Sequence, residues 1–80
     1  MAYVVHLQGI GEHPAKPAAE VVVGDKLAYN CGYNGLVKAI ETRGSSLQFT
    51  IRMLDANGDE YGPEHKRLKR PRTLVAVVGA

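Results

Sequence analysis

The stretch that decides the fold is LQFTIRMLDANGDEYG, residues 47–62. Its first seven residues alternate apolar and polar side chains, which is typical of a β-strand with one buried face and one wet face. Asn57-Gly58 follows, and this dipeptide is the strongest short-range signal for a hairpin turn. The chain is therefore predicted to reverse there and to pair EYG with the preceding strand. The predicted buried face carries Leu47, Phe49, Ile51 and Met53.

Further β signals flank this hairpin on both sides. Upstream, KLAYN (residues 26–30) and LVKAIET (residues 36–42) follow a Gly-Asp turn and are separated by the glycine-bearing turn CGYNG. Downstream, the apolar segment TLVAVVG (residues 73–79) is the last predicted strand. These five strands, with YVVHL (residues 3–7) as a sixth candidate, are joined by tight turns. A sheet this small hides its apolar face and its edges by curling into a barrel.

The segment QGIGEHPAKPAAE (residues 8–20) separates YVVHL from the other strands. It holds two glycines and two prolines, so neither a helix nor a strand is expected through its middle. We therefore interpret residues 1–20 as an N-terminal strand plus a flexible connector, and residues 21–80 as the folded barrel.

Residues 64–72, EHKRLKRPR, hold five of the ten Lys and Arg residues of the chain. Pro63 and Pro71 bracket this run and exclude it from a central strand, so an exposed loop is predicted. Such a loop can bind phosphate oxygens or other anions. Alternatively, its charges guard a sheet edge and keep a small domain in solution. The candidate anion-binding side chains are Lys66, Arg67, Lys69, Arg70 and Arg72, with Arg52, Lys38 and Tyr33 in support.

The tyrosines decide whether stacking on bases or an aromatic cage is available. Tyr33, in a Gly-Asn turn, and Tyr61, beside the Asn-Gly hairpin, are expected to be exposed, whereas Tyr29 shares a face with Leu27 and belongs to the core with its hydroxyl at the rim. A cage for a modified side chain needs three or four converging rings, and the sequence gives no sign of them.

Catalytic and metal chemistry find little support in the sequence. The three histidines, His6, His13 and His65, lack metal-ligand spacing, and the acidic residues around Asn57-Gly58 lack the Gly and Glu of a calcium loop in register. Cys31 has no base at a known distance, so a buried or incidental thiol is expected. The chain is predicted to be a non-enzymatic protein without a cofactor or a metal.

The length and composition of the chain limit the classes of protein to which it can belong. Eighty residues make one domain, one cysteine allows no internal disulfide, and no segment has the roughly 18 to 20 apolar residues that span a bilayer. A soluble, cytoplasmic protein is expected. The net charge of +2 and the pI of about 8.9 are mild, so the clustering of the cations matters more than their sum.

The segment VGDKLAYNCGYNGLVKAI resembles the opening hairpin of small SH3-like barrels of the KOW and Tudor kind. The matching residues are Gly24-Asp25, Gly32 and the run GLVKAI at residues 35–40. The resemblance spans residues 21–78 and implies an all-β, five-stranded SH3-like barrel, with or without the extra N-terminal strand. It also implies a binding protein, since proteins of this architecture recognise nucleic acid, peptides or modified side chains.

Two hypotheses of function follow. The first is a module that binds an anionic partner, nucleic acid above all, through the 66–72 loop. The second is a protein-interaction module in which YVVHL or a sheet edge pairs with another chain, with the basic loop steering an acidic partner. A homodimer in which YVVHL crosses over is the self-paired version. The small size also suits a phage or accessory protein that binds a host factor.

Overall fold

Seven β-strands and two short 3₁₀ helices make up the regular structure of residues 3–78, the part of the chain that the computed structural model describes. The all-β prediction is confirmed, and each of the six predicted strands is present. The strands are β1 (Tyr3–Leu7), β2 (Gly11–Pro17), β3 (Lys26–Ala28), β4 (Asn34–Arg43), β5 (Ser46–Leu54), β6 (Glu60–Lys69) and β7 (Leu74–Ala76), and the 3₁₀ helices span Ala18–Glu20 and Asn30–Gly32. Gly79, the predicted end of the last strand, lies outside the described residues.

The strands form a three-stranded sheet in the order β1-β2-β7 and a four-stranded sheet in the order β3-β4-β5-β6. Within residues 3–78, a single antiparallel bridge connects the two sheets, from Leu27 of β3 to Val77, the residue that follows β7. Every pairing is antiparallel, so strand direction alternates along the whole row β1-β2-β7-β3-β4-β5-β6. Within residues 3–78 no pairing joins β6 to β1, and the row does not close into a barrel.

The predicted hairpin between β5 and β6 is confirmed. The Asp55 N–H donates to the Asp59 carbonyl at 2.8 Å, and the Asp55 carboxylate accepts the N–H groups of Asn57 and Asp59 at 2.9 Å each. Gly58 adopts a φ of +85°, which glycine reaches without a steric penalty. Asp55 therefore organises this turn through hydrogen bonds to the backbone.

The predicted connector is wrong in its middle, because residues 11–17 form β2. Residues 11–15 of this strand pair with β1, and its last three residues pair with β7. Pro14 is tolerated inside it, since its carbonyl still accepts the Val77 N–H at 3.0 Å and only a donor is missing. Pro17 stands at the end of the strand, where the ladder stops. A proline thus weakens a strand without forbidding it when enough neighbouring pairs remain.

The prediction of a loop for the basic run is wrong for Lys66, Arg67 and Lys69, which lie in β6. β6 is an edge strand, as the flanking prolines require. Pro63 falls in a bulge, because the register moves from Ile51 opposite His65 to Met53 opposite Tyr61 and leaves residues 62–64 opposite a single residue. For Arg70 and Arg72 the loop prediction holds, since both lie in the turn closed by the hydrogen bond from the Thr73 N–H to the Arg70 carbonyl at 3.0 Å.

The core lies where both sheets contribute side chains. Phe49, Ile51 and Val37 are fully buried, and Val75 and Val77 of the other sheet pack with them. The predicted apolar face of β5 is therefore confirmed at its centre. Thr50, on the predicted wet face, is also buried, because this face is flanked by Ala39 of β4 and Lys66 of β6.

Asp25 fastens the loop before β3 to β2. Its carboxylate accepts a hydrogen bond from the Val22 N–H at 3.0 Å and pairs with the Lys16 ammonium at 2.8 Å. Burial alone raises the pKa of Asp25, but the contacts with Lys16 and the Val22 N–H outweigh it and hold the pKa below its ordinary value of 3.8. The ionised form is therefore the one that the fold stabilises.

We expect Asp25→Asn to remove part of the acid sensitivity of the fold. Because the folded pKa is depressed, the stabilisation by Asp25 is complete above pH 3.8 and is lost as the pH falls through the lower folded value. Urea unfolding at a series of pH values should show wild type losing more stability than the variant in that window, and the variant being less stable near neutral pH. Asp59→Asn is the matched control, and equal losses in wild type and Asp25→Asn would contradict the assignment.

Candidate anion-binding groove

A groove of about 270 Å³ is lined by side chains of β1 and β6, the two strands at the ends of the row, together with side chains of β3, β5 and β7. Phe49 and Ile51 of β5 contribute apolar atoms to its lining. Val5 and Leu7 line it from β1, and two cations line it from β6. The groove thus combines an apolar lining with one basic wall.

The pairing of β6 with β5 determines which cations face this groove. Arg67 lies opposite the fully buried Phe49, and Lys69 lies opposite Leu47, so both share the face of β5 that forms the core. Lys66 lies opposite Thr50 and is directed to the other face of the sheet. The strand therefore divides the basic run: Arg67 and Lys69 line the groove, and Lys66 does not.

Tyr29 stands beside Arg67 in the lining of the groove. Its ring is half-buried and packs against the core cluster, as the sequence predicts. Burial raises the pKa of its hydroxyl, and the positive charge of Arg67 acts in the opposite direction. The neutral hydroxyl therefore adds a hydrogen-bonding group next to the guanidinium.

Two of the supporting cations are already paired. Lys38 contacts Glu60 at 3.1 Å, and Arg52 contacts the same carboxylate at 3.7 Å. By contrast, the five cations of the basic run form no ion pair within residues 3–78. Lys38 and Arg52 are therefore less available to a ligand than the cations of β6 and the turn that follows it.

Tyr33 does not line the basic groove. It lines a second depression, of about 620 Å³, together with Tyr61, Leu54 and Asp55, at the end of the β5–β6 hairpin. Both tyrosines are exposed, as predicted. No Lys or Arg of the described chain lines this depression, so the structure separates Tyr33 from the basic groove.

The turn after β1 is held by the 3₁₀ helix at Asn30–Gly32. The Gln8 N–H donates to the side-chain oxygen of Asn30, and the Cys31 N–H donates to the Gln8 carbonyl, both at 2.8 Å. Cys31 adopts a left-handed conformation with φ +63°, and its thiol is exposed. These two hydrogen bonds fix the end of β1 beside the groove.

The chain matches no family model, no curated protein and no solved structure. Within residues 3–78, no three His, Cys, Asp or Glu side chains come together as a metal site. The same residues include no helix with the length and apolarity to cross a membrane.

Sequence reasoning found the cations but missed the groove. Val5 and Leu7 share a face in the alternation of YVVHL, and this was the available signal. What could not be derived is that this face borders β6, about sixty residues further along the chain.

Proposed function

We propose that this chain is a non-enzymatic binding module that recognises an anionic partner, nucleic acid, through the cations of β6 and of the β6–β7 turn. The proposal rests on one observation: the five cations within residues 66–72 have no acidic partner in the described chain. Unpaired, exposed Lys and Arg side chains can contact phosphate oxygens without first breaking an internal ion pair.

Three of these cations are placed best for a phosphate backbone. Lys66, Arg70 and Arg72 are exposed and do not line the groove. Arg67 and Lys69, which face the groove, can contribute at its margin. We therefore assign the phosphate contacts chiefly to Lys66, Arg70 and Arg72.

The architecture that we propose for this module is an open form of the SH3-like barrel of the KOW and Tudor kind, since the row of strands does not close within residues 3–78. Its support is the β3–β4 hairpin directly after Gly24-Asp25 and the antiparallel row that packs around one core. The SH3-like barrel also fits a binding function, although the fold alone does not choose the ligand.

The test is a salt series of anisotropy titrations with labelled duplex DNA, single-stranded DNA and RNA. On duplex DNA each neutralised phosphate contributes about −0.9 to the slope of log K against log salt, so three to five contacts give about −2.7 to −4.5. We expect the triple variant K66Q/R70Q/R72Q to bind more weakly and to reduce the magnitude of the slope by about 2.7.

The matched control is K38Q/R43Q/R52Q, which removes the same net charge from three cations that already contact Glu60 or Glu41. We expect it to keep most of the binding. Equal losses in both triple variants would mean that net charge alone drives binding, and absence of binding to all three nucleic acids would refute the proposal.

A protein-interaction module is the second candidate, and a separate observation favours it. Among residues 3–78, β1 and β6 each pair on one side only, so each presents an edge of backbone N–H and C=O groups without a partner in the described chain. Such edges recruit extended segments of other chains by β-augmentation.

A further inference from the structure

We infer that the groove lined by β1 and β6 binds an extended acidic segment of a partner protein, which enters as an eighth strand antiparallel to both edges. This inference rests on the second candidate function, the protein-interaction module, and does not depend on nucleic-acid binding. It uses the two cations that face the groove, whereas the nucleic-acid proposal uses chiefly the three that do not.

The first argument is the direction of the strands. Strand direction alternates along the row of seven, so β1 and β6, at its two ends, run the same way. These two strands could pair with each other only in parallel, which is the slightly less stable ladder. One inserted strand running the opposite way continues the alternation and supplies antiparallel partners to both edges.

The second argument is the size and chemistry of the groove. An apolar cavity of about 150 Å³ can hold a benzene ring, so a groove of about 270 Å³ has room for an apolar side chain of an inserted strand. Val5 and Leu7 on one wall, with Phe49 and Ile51 of β5, offer that side chain an apolar environment.

The third argument is charge and spacing. Arg67 and Lys69 are two positions apart on one strand, so they share a face and repeat at the spacing of alternate residues. Side chains at positions i and i+2 of an adjacent strand repeat at the same spacing, and directly opposite pairs lie within contact distance. Neither cation has an ion pair within residues 3–78, so acids at i and i+2 of the segment complement both.

The probe is a labelled peptide with the sequence TVTDTDT, whose inward face presents one Val and two Asp when it is extended. The controls are TVTKTKT, which reverses the charge, and TVDTDTT, which has the same composition but places Val and the two Asp on opposite faces. We expect TVTDTDT to bind at least about tenfold more tightly than either control, equivalent to about 1.4 kcal/mol. Amide NMR signals of β1 and β6 should shift on binding, since both edges gain hydrogen-bond partners.

Two pairs of variants locate the binding. R67Q/K69Q should weaken the peptide about tenfold or more, whereas K66Q/R70Q/R72Q should leave it within about twofold. Val5→Asp places a negative charge in the groove wall, where it repels the two Asp side chains of the peptide, and should weaken binding. Val4→Asp, on the exposed face of the same strand, should not. Thermal unfolding of each variant checks that the fold is kept.

Several outcomes overturn the inference. Binding of TVTDTDT no tighter than that of its controls would overturn it, and so would binding that leaves the amide signals of β1 and β6 unshifted. Groove signals that shift with an oligonucleotide and not with the peptide would assign the groove to nucleic acid. A dimer in sedimentation experiments that Val5→Asp dissociates would assign it to a second copy of this chain. Loss of oligonucleotide binding in K66Q/R70Q/R72Q with intact peptide binding would leave both proposals standing and independent.

Discussion

Phe49→Ala is expected to lower the free energy of unfolding by about 3–5 kcal/mol. Phe49 is 0% exposed, and it belongs to the cluster in which side chains of both sheets meet. Truncation removes the transfer energy of the ring and leaves a cavity that surrounding strands fill only in part. Since 80 residues carry a total stability of roughly 4–12 kcal/mol, this one change can remove most of it.

Thermal or urea unfolding measures this cost, and Leu68→Ala is the matched control. Leu68 lies in the neighbouring strand β6 and is 61% exposed, so its truncation should change stability by no more than about 0.5 kcal/mol. In a domain of this size, each kcal/mol shifts the Tm by about 4–8 °C, so the two variants should differ by more than about 10 °C. Similar melting temperatures would show that the core is not centred on Phe49.

Gly35→Ala is the second change with a large expected effect. A Cβ at this position would stand 2.6 Å from Cγ2 of Ile51 and 3.0 Å from Cε2 of Tyr29. Gly35 does not have a left-handed φ, so the cost is steric and does not come from the backbone conformation. Ile51 is fully buried and belongs to the core cluster, so a shift of its side chain disturbs its neighbours, and overpacking of this kind costs about 1–3 kcal/mol.

A double-mutant cycle with Ile51→Leu tests the cause. Leucine keeps the side-chain volume but has no methyl group on Cβ at the Cγ2 position, so Gly35→Ala should cost less in this background, with a coupling of at least about 0.5 kcal/mol. Urea unfolding of the four proteins gives the coupling directly. If the cost of Gly35→Ala is the same in both backgrounds, the contact with Ile51 is not its source.

The elements that the sequence predicted well are those encoded by neighbouring residues. The alternation of residues 47–53 and the Asn57-Gly58 turn specify β5 and its hairpin with β6. The strand β2 was missed because its evidence is non-local: Pro14 and Pro17 argue against a strand, and the partners that make it one include β7 at the other end of the chain.

The candidate site also has a part that the sequence predicts and a part that it does not. The abundance of cations at residues 66–72 is visible in the sequence, but their directions depend on β6 being a strand in a specific register with β5. The predicted loop gave no reason to assign different directions to the side chains of the five cations. Only the register shows that Arg67 and Lys69 face the core side and that Lys66 does not.

The two sheets differ in how far along the chain their partners lie. The sheet β3-β4-β5-β6 is a succession of hairpins between consecutive strands, whereas the other sheet pairs Ala15 with Ala76, about sixty positions away. Contacts that close short loops form quickly, and distant ones must first overcome a larger loop-closure entropy. The meander of β3 to β6 is thus expected to form early in folding, and the pairing of β2 with β7 is expected to form later. The groove beside β1 is then among the last features of the molecule to take shape.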